Sequence, residues 1–342
     1  MKPGNRQKMY MALLWAVLFL SVIPRGALYA QRKTTIKLAS LVPENTPWGA
    51  AINRMAVEWG RATNGEVELI VYHNGVAGGE ADVLRKLNLN QIQAAIFTSI
   101  GLNAVTPEIM TLSYPFLIHD NQELDAVLQQ LRPELDTRIE RNGFVTLAWA
   151  RAGWVKIFSR APVFTPADLR RQKLGTSPEE LEMLQAFRAM GFQMVPVDLP
   201  DVLVSLNGGM IDSIYMSPIA VASSQLFGIA RNMSSLNLAP FMGAILMNRN
   251  AWRRIPDQYK DRLMAICKQI ESEIDNSIAR LEADAVNTMS GYGLVINTPT
   301  AAQQEEWYGE IARHESELAG PIFNREIYQR ITNILAAYRR GR

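Results

Sequence analysis

Residues 35–98 read TIKLASLVPENTPWGAAINRMAVEWGRATNGEVELIVYHNGVAGGEADVLRKLNLNQIQAAIFT. Thr35 to Ser40, Val67 to Tyr72 and Ala94 to Thr98 are short β-rich runs. Between the first two, Thr46-Pro47 forms a cap and first-turn pair, and Trp48, Ile52, Met55, Ala56 and Trp59 follow at helical spacing up to Gly65. Between the second and third, the glycine-rich loop Asn74 to Gly79 opens a helix carrying Val83, Leu84, Leu87 and Leu89. Strand, helix, strand, helix, strand at this spacing predicts an α/β layer with a mostly parallel sheet.

The pattern continues outward. Strands are expected at Val145 to Ala150, Val155 to Phe158, Lys173 to Thr176, Met194 to Val197 and Ile211 to Tyr215, with a helix from Pro178 to Met190. A second α/β unit therefore begins around Arg151. From Pro256 to Met289, Leu263, Ile266, Cys267, Ile270, Ile274, Ile278, Leu281 and Ala285 recur every three or four residues, predicting one long amphipathic helix. A strand at Leu294 to Asn297 and two helical stretches follow. A chain of 342 residues, 48% hydrophobic and 20% charged, is long enough for two such domains.

The formal charge of +2 is concentrated at the start. Lys2, Arg6 and Lys8 precede an uncharged apolar run from Met9 to Ile23, followed by Pro24 and the small residues Ala27 and Ala30. That is the layout of a secretory signal peptide over residues 1–30, and its run is shorter than the roughly 20 residues a membrane-spanning helix needs. Retention as an anchor is the alternative. Removal would take away four cations and leave a mildly acidic exported chain. No cysteine lies near the end of the run, which excludes a lipid-modified N-terminus. The near-neutral balance also argues against a nucleic-acid partner.

Catalytic patterns are sparse. His73, His119 and His314 are isolated from one another, and the single cysteine, Cys267, sits on the apolar stripe of the long helix as a small core residue. No nucleophile elbow, phosphate-binding loop with Lys-Ser/Thr, or dinucleotide fingerprint occurs. The three glycines of Asn74 to Gly79 read as a tight turn. Neither a metal site nor a cofactor is expected, and an enzyme is the weaker reading.

Several segments, in order, resemble the extracytoplasmic solute receptors of tripartite ATP-independent periplasmic (TRAP) transporters. They are Pro43-Glu-Asn-Thr-Pro-Trp48, Tyr72-His-Asn-Gly-Val-Ala-Gly-Gly-Glu80, Leu112-Ser-Tyr-Pro-Phe-Leu117, Phe164-Thr-Pro-Ala-Asp-Leu169 with Gln172-Lys-Leu174, Met190-Gly-Phe-Gln-Met-Val-Pro196, and Leu206 through Met210-Ile-Asp212. The resemblance covers about residues 35–312. It implies a two-lobed α/β periplasmic solute-binding fold with strands crossing between lobes, a long helix spanning both, and a ligand enclosed between them. The expected division is residues 31–152 plus 241–280 in lobe I, 153–240 plus 281–322 in lobe II, and a C-terminal helix over 323–342. The implied partners are TRAP membrane permease subunits. Some relatives with apolar clefts are associated with a tetratricopeptide-repeat periplasmic protein, which the resemblance adds as a candidate partner.

The departures from the family pattern bear on the ligand. Where most of the family has a carboxylate-gripping arginine after the Lys-Leu pair, this chain has Gly175 and then Thr176. Where a second arginine is common after the Gly-aromatic turn, Gly153-Trp154 is followed by Val155. Ser213-Ile-Tyr-Met-Ser-Pro218 replaces a polar stretch, and Thr98-Ser99 replaces an acidic position. A carboxylate closed into a cleft without a cation costs several kcal/mol. The resemblance thus implies a cleft formed by Ser40, Trp48, Thr98, Trp154, Val155, Gly175, Thr176, Leu199, Tyr215, Met216, Phe241 and Met242, holding a small hydrophobic or amphipathic ligand. Core packing is the competing role for each apolar member. Two alternatives stay open: an organic acid held by Arg151 or Lys156, or an exported enzyme on the same scaffold.

Overall fold

The computed structural model describes residues 33–341, so the signal-peptide reading of 1–30 lies outside the described residues. β1 (Thr34–Ala39), β2 (Val67–Tyr72) and β3 (Ala94–Thr98) form a parallel set with β1 in the middle. α1 (Pro47–Ala62) joins the first two strands. The Thr46 side chain accepts from Gly49 N–H at 3.1 Å, and Ile52, Met55 and Trp59 are buried in the lobe I core. α2 (Glu80–Asn88) follows β2, and α3 (Ser99–Val105) starts at the end of β3 with Thr98 as its cap. The 3₁₀ segment Pro107–Ser113 leads to α4 (Asn121–Arg141), which buries Leu124, Val127, Leu131, Leu135 and Ile139 at helical spacing.

β4 (Phe144–Ser159) is one 16-residue strand where the sequence predicts two. From Phe144 to Val155 it runs antiparallel to β9 (Ala239–Asn248), and its last residues pair with β7 (Ser213–Met216) and β8 (Asn232–Ser234). One strand thus belongs to both lobes. In lobe II, α5 (Pro166–Arg170), β5 (Lys173–Thr176), α6 (Leu181–Ala189), β6 (Gln193–Pro196), α7 (Val202–Asn207) and α8 (Pro218–Ser223) repeat the α/β alternation, with β5 parallel to β6 and β7. The strand order is β2-β1-β3-β9-β4-β7-β5-β6, with β8 off this path beside β4.

After α9 (Arg249–Arg253), α10 (Asp257–Gly291) runs for 35 residues, about 50 Å at 1.5 Å per residue. Leu263, Cys267, Ile270 and Ile274 enter the lobe I core and Met289 enters a lobe II cluster, so the helix spans both lobes. β10 (Val295–Asn297) pairs with β8, and α11 (Ala301–Arg313) and α12 (Glu315–Leu318) cover lobe II. α13 (Arg325–Arg340) returns to lobe I, packing Ile327, Ile331, Ile334 and Leu335 against the core that α4 closes.

Candidate functional site

The lobes enclose two adjoining cavities. The larger, about 350 Å³, lies between Leu41, Glu80, Thr98 and Ile100 of lobe I and Gly175, Thr176, Val197, Ile214 and Tyr215 of lobe II. The second, about 240 Å³, is lined by Val155, Met183, Ala239 and Pro240 with Ser99, Ser113 and Ser217. Glu180, Leu199, Tyr215, Met216 and Phe241 line both, so they form the junction. The walls are chiefly apolar. Among the described residues no lysine, arginine or histidine lines either cavity, whereas Glu80, Glu179 and Glu180 do.

The polar groups are held in two networks. Glu80, at the first turn of α2, accepts from Thr98 N–H at 2.6 Å, the Thr98 hydroxyl at 3.0 Å and Gly101 N–H at 2.6 Å, fixing the elbow between β3 and α3. Burial still holds its carboxyl above the usual range. Across the cleft, Tyr215 donates to Glu180 Oε2 at 2.5 Å, and the Thr176 hydroxyl bonds the same phenol oxygen. Burial, and secondarily the Glu182 charge, raises the Glu180 pKa against the opposing hydrogen bond from Tyr215. The Tyr215 phenol is pushed well up by burial and then by Glu180.

The chain matches the family described as bacterial extracellular solute-binding protein, family 7, over residues 38–318. It belongs to that family. A solute-binding protein of Verminephrobacter eiseniae is 24% identical over 298 residues, covering 83% of this chain and 88% of that one. The 2,3-diketo-L-gulonate-binding periplasmic protein YiaO of Escherichia coli is 22% identical, covering 69% and 72%. Among solved structures, the TRAP periplasmic solute-binding protein of Chromohalobacter salexigens with bound D-glucuronate superposes with a TM-score of 0.79 at 18% identity, covering 88% and 99%. That of Sulfurospirillum deleyianum with bound succinate gives 0.77 at 21%, covering 88% and 98%. This family 7 protein therefore has the two-lobed TRAP receptor fold and is a solute-binding receptor, not an enzyme.

Within the family 7 fold, the residues singled out from sequence divide into those at the cavities and those away from them. Thr98, Val155, Gly175, Thr176, Leu199, Tyr215, Met216 and Phe241 line the cavities. Ser40 is buried beside Glu80 in a narrow adjoining cavity, its hydroxyl accepting from Val42 N–H. The other three lie away from the cleft. Trp154 precedes Val155 on β4 and so takes the opposite face; it is 5% exposed, and its indole donates to Asn121 at 2.8 Å. Met242, next to Phe241, is 1% exposed and lines a separate pocket with Trp149, Arg151 and Glu271. Trp48 packs against the lobe I core. A Cβ added at Gly175 would lie 2.7 Å from Ile211 Cδ1, the far end of a side chain that would have to turn aside.

The two candidate cations are engaged elsewhere. Arg151 pairs with Asp125 at 2.6 Å and Asp275 at 3.3 Å, facing the separate pocket. Lys156 donates to Ser235 O at 2.8 Å and Asn237 Oδ1 at 2.7 Å, and burial lowers its pKa to about 8. Glu180 escaped the sequence reading. Ser177-Pro-Glu-Glu180 has the composition of a solvated helix start, and only the packing of α6 against β7 brings its carboxylate to Tyr215.

Proposed function

We propose that this family 7 receptor is a periplasmic protein that encloses a hydrophobic or amphipathic small molecule between its lobes and delivers it to TRAP membrane permease subunits. The observation that carries the reading is the lining of the cleft: among the described residues, mostly apolar side chains, three carboxylates and no cation. The structural relatives named above hold glucuronate and succinate. An acid of that kind in this cleft would meet Glu180 and Glu80 without an arginine to pair with. Like charges about 5 Å apart repel by about 3 kcal/mol at an effective dielectric constant of about 20, on top of the desolvation cost. Apolar ligand surface gains about 25 cal/mol for each Å² removed from water. Solvent extraction and native mass spectrometry of the purified protein should yield an apolar co-purifying molecule. Tight binding of succinate or glucuronate, with no affinity for apolar ligands, would sink the reading.

A further inference from the structure

We infer that the cleft selects an amphipathic cation, a protonated amine joined to an apolar body, with Glu180 Oε1 as the acceptor of its head group. The inference rests on the apolar-cleft reading and adds the charge of the ligand to it. Its basis is where the protons in the polar network go. Tyr215 has one hydroxyl proton, and it points to Glu180 Oε2 at 2.5 Å. The Thr176 hydroxyl then gives its proton to Tyr215 in preference to its longer contact, Ser177 O at 3.4 Å, which leaves the lone pairs of Thr176 as acceptors. Glu180 Oε1 accepts no hydrogen bond from the described residues. The network therefore turns acceptors, not donors, toward a ligand.

Charge and position agree with this. Glu80 and Glu179 add carboxylates to the larger cavity, and no cationic side chain among the described residues lines either one. Glu180 stands at the junction with Leu199, Met216 and Phe241, so a head group bound there has apolar wall on both sides. Burial without a counter-charge holds the Glu180 carboxyl above its usual range, and a bound ammonium supplies that counter-charge. The three serines of the second cavity are neutral and can accept from the same head group or from a hydroxyl on the ligand.

The test is a matched series on the purified chain by titration calorimetry: n-octylamine, n-octanol and octanoate, which share a chain and differ in head group. A hydrogen bond to a charged partner is worth about 1.5–3 kcal/mol, so octylamine should bind about tenfold or more tightly than octanol, and octanoate weakest. Glu180→Gln should bring the amine-to-alcohol ratio to near one while leaving octanol affinity within about twofold. Tyr215→Phe, which keeps the Glu180 charge, should keep the amine preference, and it serves if Glu180→Gln fails to fold. Octylamine binding no tighter than octanol, or not at all, overturns the inference, as does a ratio untouched in Glu180→Gln or lost in Tyr215→Phe. If octanol binds as well as octylamine, the inference fails and the apolar cleft stands; if only glucuronate or succinate binds, both fail.

Discussion

Single residues show how this receptor assigns its charges. Lys156 is the cation nearest in sequence to the cleft wall, since Val155 lines it, yet the lysine lines neither cavity and reaches instead to the segment of Ser235 and Asn237. There its ammonium is buried against Ser235 and Asn237, and the pKa falls to about 8 from the ordinary 10.5 despite the attraction of Glu282. Between those two values the unfolded chain holds a proton that the folded chain has released, so stability contributed at this site rises with pH from about 8 to about 10.5. Below about pH 8 the penalty for burying the charge is present in full. The melting temperature of the wild type, taken relative to Lys156→Met so that other titrating groups cancel, should therefore climb between about pH 8 and about 10. A difference that stays flat or falls across that window would contradict this. At the same scale, Glu180 was illegible in the sequence because an acidic residue at a helix start reads as solvated. Gly175 was legible, because its neighbours Lys173-Leu174 mark the position.

At the scale of elements, residues 35–98 were read almost in full from the sequence: two of the three strands match to the residue, and the third is displaced by one. Local periodicity suffices there because each strand is bounded by a turn. β4 was less legible, appearing as two strands, because Gly153 interrupts the apolar pattern. The structure continues the strand through an irregularity between Arg151 and Trp154, and the side chains that hold its amides lie more than a hundred residues away. Glu282 of α10 accepts Trp154 N–H at 2.7 Å, and Glu271, about three helical turns before it, accepts Trp149 N–H at 3.0 Å. Gly153 has φ of +90°, a backbone angle that favours glycine, and a Cβ there would lie 2.3 Å from the Glu282 carboxyl and push it aside. α10 thus clasps the crossing strand where the ladder is irregular. Glu282→Ala would leave the Trp154 amide without that acceptor and should cost about 1–3 kcal/mol. It should also speed hydrogen exchange at Trp154 while leaving exchange in β1 and β2 unchanged. Equal protection at Trp154 in both proteins would show that the clasp does not hold the strand.

For the whole molecule, the question is what keeps the two lobes together around a ligand. The covalent crossings β4 and β9 and the span of α10 tether the lobes at one side, and the cavities lie between the lobes. Between the lobes, Asn103 of α3 in lobe I donates through Nδ2 to Glu182 Oε1 of α6 in lobe II at 2.9 Å. This bond exists only while the lobes are together, and α3 begins at the Thr98 elbow that Glu80 fixes, so the latch and the cleft wall share one support. A hydrogen bond to a charged acceptor, at about 1.5 kcal/mol, shifts an open-to-closed equilibrium by roughly tenfold, and a ligand that binds the closed form loses apparent affinity by the closed fraction removed. Asn103→Ala should therefore weaken ligand binding by up to about tenfold without touching a cavity-lining residue. It should also raise the radius of gyration of the ligand-free protein in solution scattering, with saturating ligand restoring the wild-type value. The restoration is the discriminating part, because damage to the cleft itself would weaken binding without a ligand-reversible change in shape. Identical scattering of the two ligand-free proteins would mean that closure is set by the apolar walls and the crossing strands alone.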